Sequence, residues 1–221
     1  MSDSTDASQL AHRYLVIPGH RRFELFGCHR PMEGPQGERF RRLVARIANE
    51  VGIDPGLLVV NAIAEHGTTI YLSSQSVEND EVGLDYWDTL QHSVLASGIP
   101  GVGRIRVRRS GNIFQNEQGR NMPGYTFADG PTALLALAAM LKVYHDRISA
   151  AGGPSLTTVT RFALVRYAYH ASPQRAVELA RTAGSGVEVL PARGPAGASS
   201  PLRTATIRAV QAIAVSEDYF R

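Results

Sequence analysis

The residue best placed for chemistry is a glutamate at the end of an apolar stretch, Glu65 in GLLVVNAIAEH. A carboxyl group can donate a proton near neutral pH only if its pKa is raised, and burial raises it by disfavouring the charged form. A helix of this composition, ending at the mouth of a groove, would give Glu65 such surroundings. Four more carboxylates, Glu78, Asp80, Glu81 and Asp85, follow in a segment that could face it. Asp85 is the candidate for a second catalytic carboxylate. Glu117, in NEQGR, is a loop carboxylate that could reach the same place. His66 directly follows Glu65; protonated, it would lower the glutamate pKa and work against an acid role. It could equally favour the negative end of the helix without touching a ligand. Tyr86 and Trp87 could form a stacking platform or belong to the core. The patterns HExxH, GxSxG and the phosphate-binding loop are absent, as are CxxC pairs and zinc-spaced Cys/His clusters. No metal or cofactor is implied.

These residues need elements to hold them. Phe40, Leu43, Val44, Ile47 and Val51 recur at helical spacing from Glu38 to about Gly52. Asp54-Pro55 then reads as an N-cap followed by proline at the first helical position. The helix it opens is apolar on nearly every face and should be buried, with Gly67 as its left-handed stop. RIRVRR and NIFQNE, separated by Ser110-Gly111, read as a β-hairpin with its turn at that pair. Asp129 should cap a long helix carrying Leu134, Leu137, Leu141 and Tyr144, ending before Gly152-Gly153. A further helix is expected over about 156–169. Ser172-Pro173 starts another that Gly184 closes, and a Gly/Pro/Ser-rich loop precedes a last helix over about 204–219. The spacing therefore predicts a mainly α chain with a small β-hairpin region, an α+β fold. Residues 1–36, rich in Pro, Gly and Arg, are expected to be an irregular segment ahead of one domain over 37–221.

Four segments in this order resemble the lysozyme-like lytic transglycosylases: GIDPGLLVVNAIAEHG, VGLDYW, FADGPTALLALAAMLKVYHDRI and ALVRYAYHASPQRAVELARTAG. They cover roughly residues 52 to 184. The resemblance implies a lysozyme-like fold that cuts the glycan strands of bacterial peptidoglycan, with Glu65 as the catalytic acid. It places Tyr169 in the cleft, positioning substrate or bonding the carboxyl. His66 and His170 fall at motif positions and could contact sugar or tune Glu65; a platform of Tyr86 and Trp87, if not core, could stack on the sugar. The departures are His66 for a serine, Asp85 and Tyr86 for the Met-Gln of the second motif, and His170 and Ser172 for the Asn and Gly of the fourth. In this family the acetamido group of the substrate can assist, so no second carboxylate is needed and a 1,6-anhydro end forms. A hydrolytic muramidase would need one, about 5–5.5 Å away in a retaining enzyme and about 6.5–9.5 Å away in an inverting one.

Composition bounds the alternatives. The chain has 221 residues, 43% of them hydrophobic, which suits one domain with a proper core. A net charge of +3 suits an anionic partner without choosing among cell wall and nucleic acid. The single cysteine, Cys28, excludes an internal disulfide; it could serve as a catalytic thiol but reads rather as a partly buried free thiol. LASGIPGVGRIRV resembles the turn of a helix-hairpin-helix element, but RIRVRRSGN reads as strand where the second helix should begin. Arg104, Arg106, Arg108 and Arg109 read as a solvated strand edge. A nucleic-acid module is thus a rival reading, though not the expected one. A non-catalytic glycan-binding or structural protein on the same scaffold is the other. No Sec signal and no membrane-spanning run is visible. The expectation is synthesis in the cytoplasm and action at the wall or outside the cell, as an effector or phage lysin carried by delivery machinery.

Overall fold

The computed structural model describes residues 6–15, 27–82, 84, 90–115, 121–191 and 200–221. Among them the chain is mostly helical with one small antiparallel sheet. The helices are α1 (Ala7–Tyr14), α2 (Gly34–Val51), α3 (Pro55–Glu65), α4 (Asn79–Val82), α5 (Gly130–Gly152), α6 (Thr158–His170), α7 (Pro173–Gly184) and α8 (Pro201–Tyr219). The strands are β1 (Val77–Glu78), β2 (Val107–Gln115) and β3 (Asn121–Phe127), with β3 in the middle. The described chain divides into two compact units: one from Met1–Arg30, Asp54–Asn61 and Tyr144–Arg221, the other from Pro31–Ile53 and Ala62–Val143.

Helix starts follow local side-chain chemistry. The Asp54 carboxylate accepts from the Leu57 N–H at 3.1 Å, and Asp129 does the same for Thr132 at 2.7 Å. Ser172 and Ser200 cap α7 and α8 by accepting from Arg175 and Arg203, each at 3.2 Å. Each occupies a donor that the first helical turn would otherwise leave unmet. Two expectations fail. The irregular reading of residues 1–36 misses α1, whose Asp6 cap accepts from Ser8 at 2.7 Å and whose Ala7, Leu10, Ala11 and Tyr14 are buried. The turn at Ser110-Gly111 is not a turn. β2 runs through it, and between Arg109↔Tyr125 and Ile113↔Pro123 four steps along β2 match only two along β3. The surplus residues are absorbed as a bulge, which lets the strand continue past the glycine.

In the first unit, α1 meets α8 where the Ala7 N–H donates to Glu217 at 3.3 Å. Cys28 lies against the same helix, 1% exposed, with Sγ 3.9 Å from Gln211 Oε1, and neighbouring His29 bonds Asp218 at 2.8 Å. The start of α3 touches α8 at Gly56. A Cβ there would lie 2.0 Å from the Ala212 carbonyl oxygen and 2.4 Å from Ser216 Oγ. The Gly56 N–H instead donates to that hydroxyl at 3.0 Å, and the hydroxyl donates to Asp54 at 2.6 Å. Gly56→Ala should therefore destabilise the protein by about 1–3 kcal/mol through overpacking, outweighing the roughly 0.5–1 kcal/mol that alanine gains in a helix. A thermal melt equal to or above that of wild type would refute the contact.

In the second unit, the sheet and the helices share one core. Tyr125 and Phe127 are 0% exposed and meet edge to face at 5.5 Å. The Tyr125 N–H donates to Asn79 Oδ1 at 3.2 Å, and its hydroxyl donates to the Leu84 carbonyl. Phe40 of α2 packs against Tyr71 with ring centroids 6.4 Å apart.

Candidate active site

Leu57, Leu58, Val59, Val60 and Ala62 of α3 are at most 1% exposed, so its solvent face is confined to its last turn. Glu65 closes the helix half-buried, and His66 after it is exposed. Gly67 then takes a left-handed φ of +80°, which ends the helix and turns the chain toward a 3₁₀ turn at Ile70–Leu72. Tyr71 in that turn is fully buried, and its hydroxyl donates to the Val82 carbonyl at 3.4 Å. The first turn of α5 holds this segment from the other side. The Gly130 N–H donates to the Ser73 carbonyl at 3.0 Å, and a Cβ at Gly130 would lie 2.1 Å from the Ile70 carbonyl oxygen. Only glycine permits that approach.

Burial pushes the Tyr71 phenol well above its ordinary pKa, and the negative charge of Glu65 pushes it the same way. Glu65 thus lies close enough to a buried phenol for its charge to be felt there. Tyr71 has a consequence for stability. It keeps its proton in the folded state at pH values where an unfolded tyrosine, with its value of 10.0, has lost it. The unfolded chain binds fewer protons there, so stability falls as pH rises above that value. Tyr71→Phe should make this alkaline decline shallower. Tyr14 and Tyr144, both raised chiefly by burial, keep the remainder. Urea midpoints below and above that pH would check it; an unchanged slope would count against the burial of this hydroxyl.

The carboxylates expected opposite Glu65 divide. Glu78 is half-buried on β1, its N–H donating to Glu81 Oε2 at 2.7 Å, while Asp80 and Glu81 are exposed. Glu81 thereby serves the start of α4. Asp85, Tyr86 and Trp87, and also Glu117, lie outside the described residues. The segment after Gly101 forms a 3₁₀ turn, Val102–Arg104, and then β2, in place of the second helix of a helix-hairpin-helix element. Arg104 bonds Glu50, and Arg106 donates to the Gly103 carbonyl at 2.6 Å; Arg108 and Arg109 are exposed on β2, at the sheet edge.

Tyr169 and His170 belong to the other unit, at the end of α6. Tyr169 is half-buried and His170 exposed, and their rings meet edge to face at 5.6 Å. Beneath them lies a polar network that the sequence reading overlooks. Arg166 is only 6% exposed; its guanidinium carbon sits 5.6 Å from the Tyr169 ring centroid, and its Nη1 donates to Asn61 Oδ1 at 2.8 Å. Asn61, fully buried, donates in turn to the Leu57 carbonyl at 2.8 Å. The available signal was an amide and a guanidinium inside helices that are otherwise apolar, since buried polar groups are retained where they are bonded. Among the described residues no three His, Cys, Asp or Glu side chains are grouped to hold a metal ion, and no helix is long and apolar enough to cross a membrane. Comparison with protein-family models, with curated proteins and with solved structures finds no match to this chain.

Proposed function

We propose that this protein has a lysozyme-like fold and cleaves the glycan strands of peptidoglycan, as a lytic transglycosylase with Glu65 as its acid and base. The observation that carries the reading is Glu65 itself: a half-buried carboxyl at the end of a helix with a dry middle, near enough to the buried Tyr71 phenol for its charge to act there. Apolar surroundings favour the protonated carboxyl that glycosidic oxygen requires. The order of elements supports the same reading: a buried helix ending in glutamate, a small antiparallel sheet, a long buried helix, then a helix carrying Tyr169.

In this scheme Glu65 protonates the leaving oxygen while the acetamido group of the substrate attacks the anomeric carbon. The C6 hydroxyl oxygen then attacks that carbon, displacing the acetamido oxygen and closing the 1,6-anhydro ring, while the Glu65 carboxylate takes the hydroxyl proton. The exposed His66 contacts the glycan. Isolated sacculi incubated with the purified protein test the scheme, with released fragments weighed by mass spectrometry. Anhydro ends, one water lighter than reducing ends, are the expected product. Reducing ends would make the enzyme a muramidase and put Asp85 in the role of second carboxylate. Saturable binding to sacculi with no release would replace the enzymatic reading with a glycan-binding one.

A further inference from the structure

We propose that a groove in the first unit, remote in sequence from Glu65, binds a short peptide segment in which carboxylates flank an aliphatic side chain. The groove lies between the last turns of α5 and the length of α7, and has a volume of about 340 Å³. Its walls are apolar: the Tyr144 ring, Ile148, Ala168, Pro173 and Val177. Its rim carries two guanidiniums, Arg147 from α5 and Arg181 from α7, both exposed. Neither makes an ion pair among the described residues, whereas neighbouring Arg175 is already spent on Glu178 at 2.7 Å.

Charge complementarity selects the occupant. Two uncompensated guanidiniums present forked donors, which match carboxylates in bidentate fashion. They stand on different helices beside an apolar trough, so the ligand must carry separated anionic groups around an apolar body. The Gln174 side chain, also on the rim, can donate to and accept from a peptide bond. A nucleic acid fits poorly. Tyr144 is only 8% exposed and offers no free face for a base. Burial outweighs the Arg147 charge at Tyr144, so that phenol stays neutral and adds no negative charge of its own.

The test uses the full chain and a dye-labelled peptide, blocked at both ends, with alternating glutamate and leucine. Fluorescence anisotropy should show saturable binding with Kd of roughly tens to hundreds of micromolar, weakening as salt is added. The Arg147→Gln/Arg181→Gln double variant should bind at least tenfold more weakly, and so should wild type toward the same peptide with glutamine for glutamate. Because both arginines are exposed, the variant should keep its circular dichroism spectrum and melting temperature. Glu65→Gln should bind as wild type does, so this result stands or falls apart from glycan cleavage. Equal binding by the double variant, equal binding of the glutamine peptide, or no saturation at millimolar peptide would overturn the proposal. Tighter capture of a single-stranded oligonucleotide through the same two arginines would do so as well.

Discussion

Glu65→Gln is expected to lower muropeptide release from sacculi by about a hundredfold to ten thousandfold, the range a positioned acid-base group contributes. Glutamine preserves the shape of the side chain and its place at the end of α3, but its amide cannot deliver a proton to a glycosidic oxygen. The fold should not register the change. The side chain is half-buried in the last helical turn, and the packed part of the helix, Leu57 to Ala62, is untouched. A melting temperature within a degree or two of wild type would show that lost release reflects lost chemistry. Glu65→Asp separates the two roles of the carboxyl. It keeps a titratable group but withdraws it by one methylene, so part of the activity should survive, since misplacement by an ångström is itself costly. Release by Glu65→Gln equal to wild type would assign the chemistry to another group.

Asn61→Leu should be strongly destabilising in the first unit. It removes the oxygen that accepts from Arg166 Nη1 at 2.8 Å, a bond made to a guanidinium that is 6% exposed. Hydrogen bonds to charged groups are worth about 1.5–3 kcal/mol. For a chain of this length that corresponds to a fall in melting temperature of roughly 5–10 °C. Asn61→Asp should lose less than Asn61→Leu, because it keeps an acceptor and adds an opposite charge. A leucine variant as stable as wild type would show that Asn61 is dispensable to the network.

Much of the helical frame is legible because its punctuation is local. Asp54, Asp129 and Ser172 are capping residues followed by proline within two positions, and each does open a helix. Such signals act within one turn and need no knowledge of tertiary contacts. The errors arise where two local meanings compete. Ser110-Gly111 is turn chemistry, yet pairing with β3 continues on both sides, and the chain resolves the conflict by bulging. The spacing of Ala7, Leu10, Ala11 and Tyr14 is helical, but it spans only two turns inside a polar stretch and is readable only once α8 supplies a surface for it. At the candidate site, Glu65 is marked by the apolar run before it. Tyr71 and the Asn61–Arg166 pair are not marked, because burial and pairing depend on residues far away in the chain.

The solitary thiol gives the protein an internal clock for local opening. Cys28 is 1% exposed, and burial holds its pKa above the ordinary thiol value against the opposing charge of Arg208. A reagent that attacks thiolates must therefore wait until this stretch of chain lifts from α8, which breaks the His29–Asp218 bond alongside it. The rate of labelling then counts how often the seam opens, one event per molecule, with no second cysteine to blur the signal. Disturbing α8 at its contact with α3, as Gly56→Ala would, should quicken that clock before any loss of helix is visible by spectroscopy.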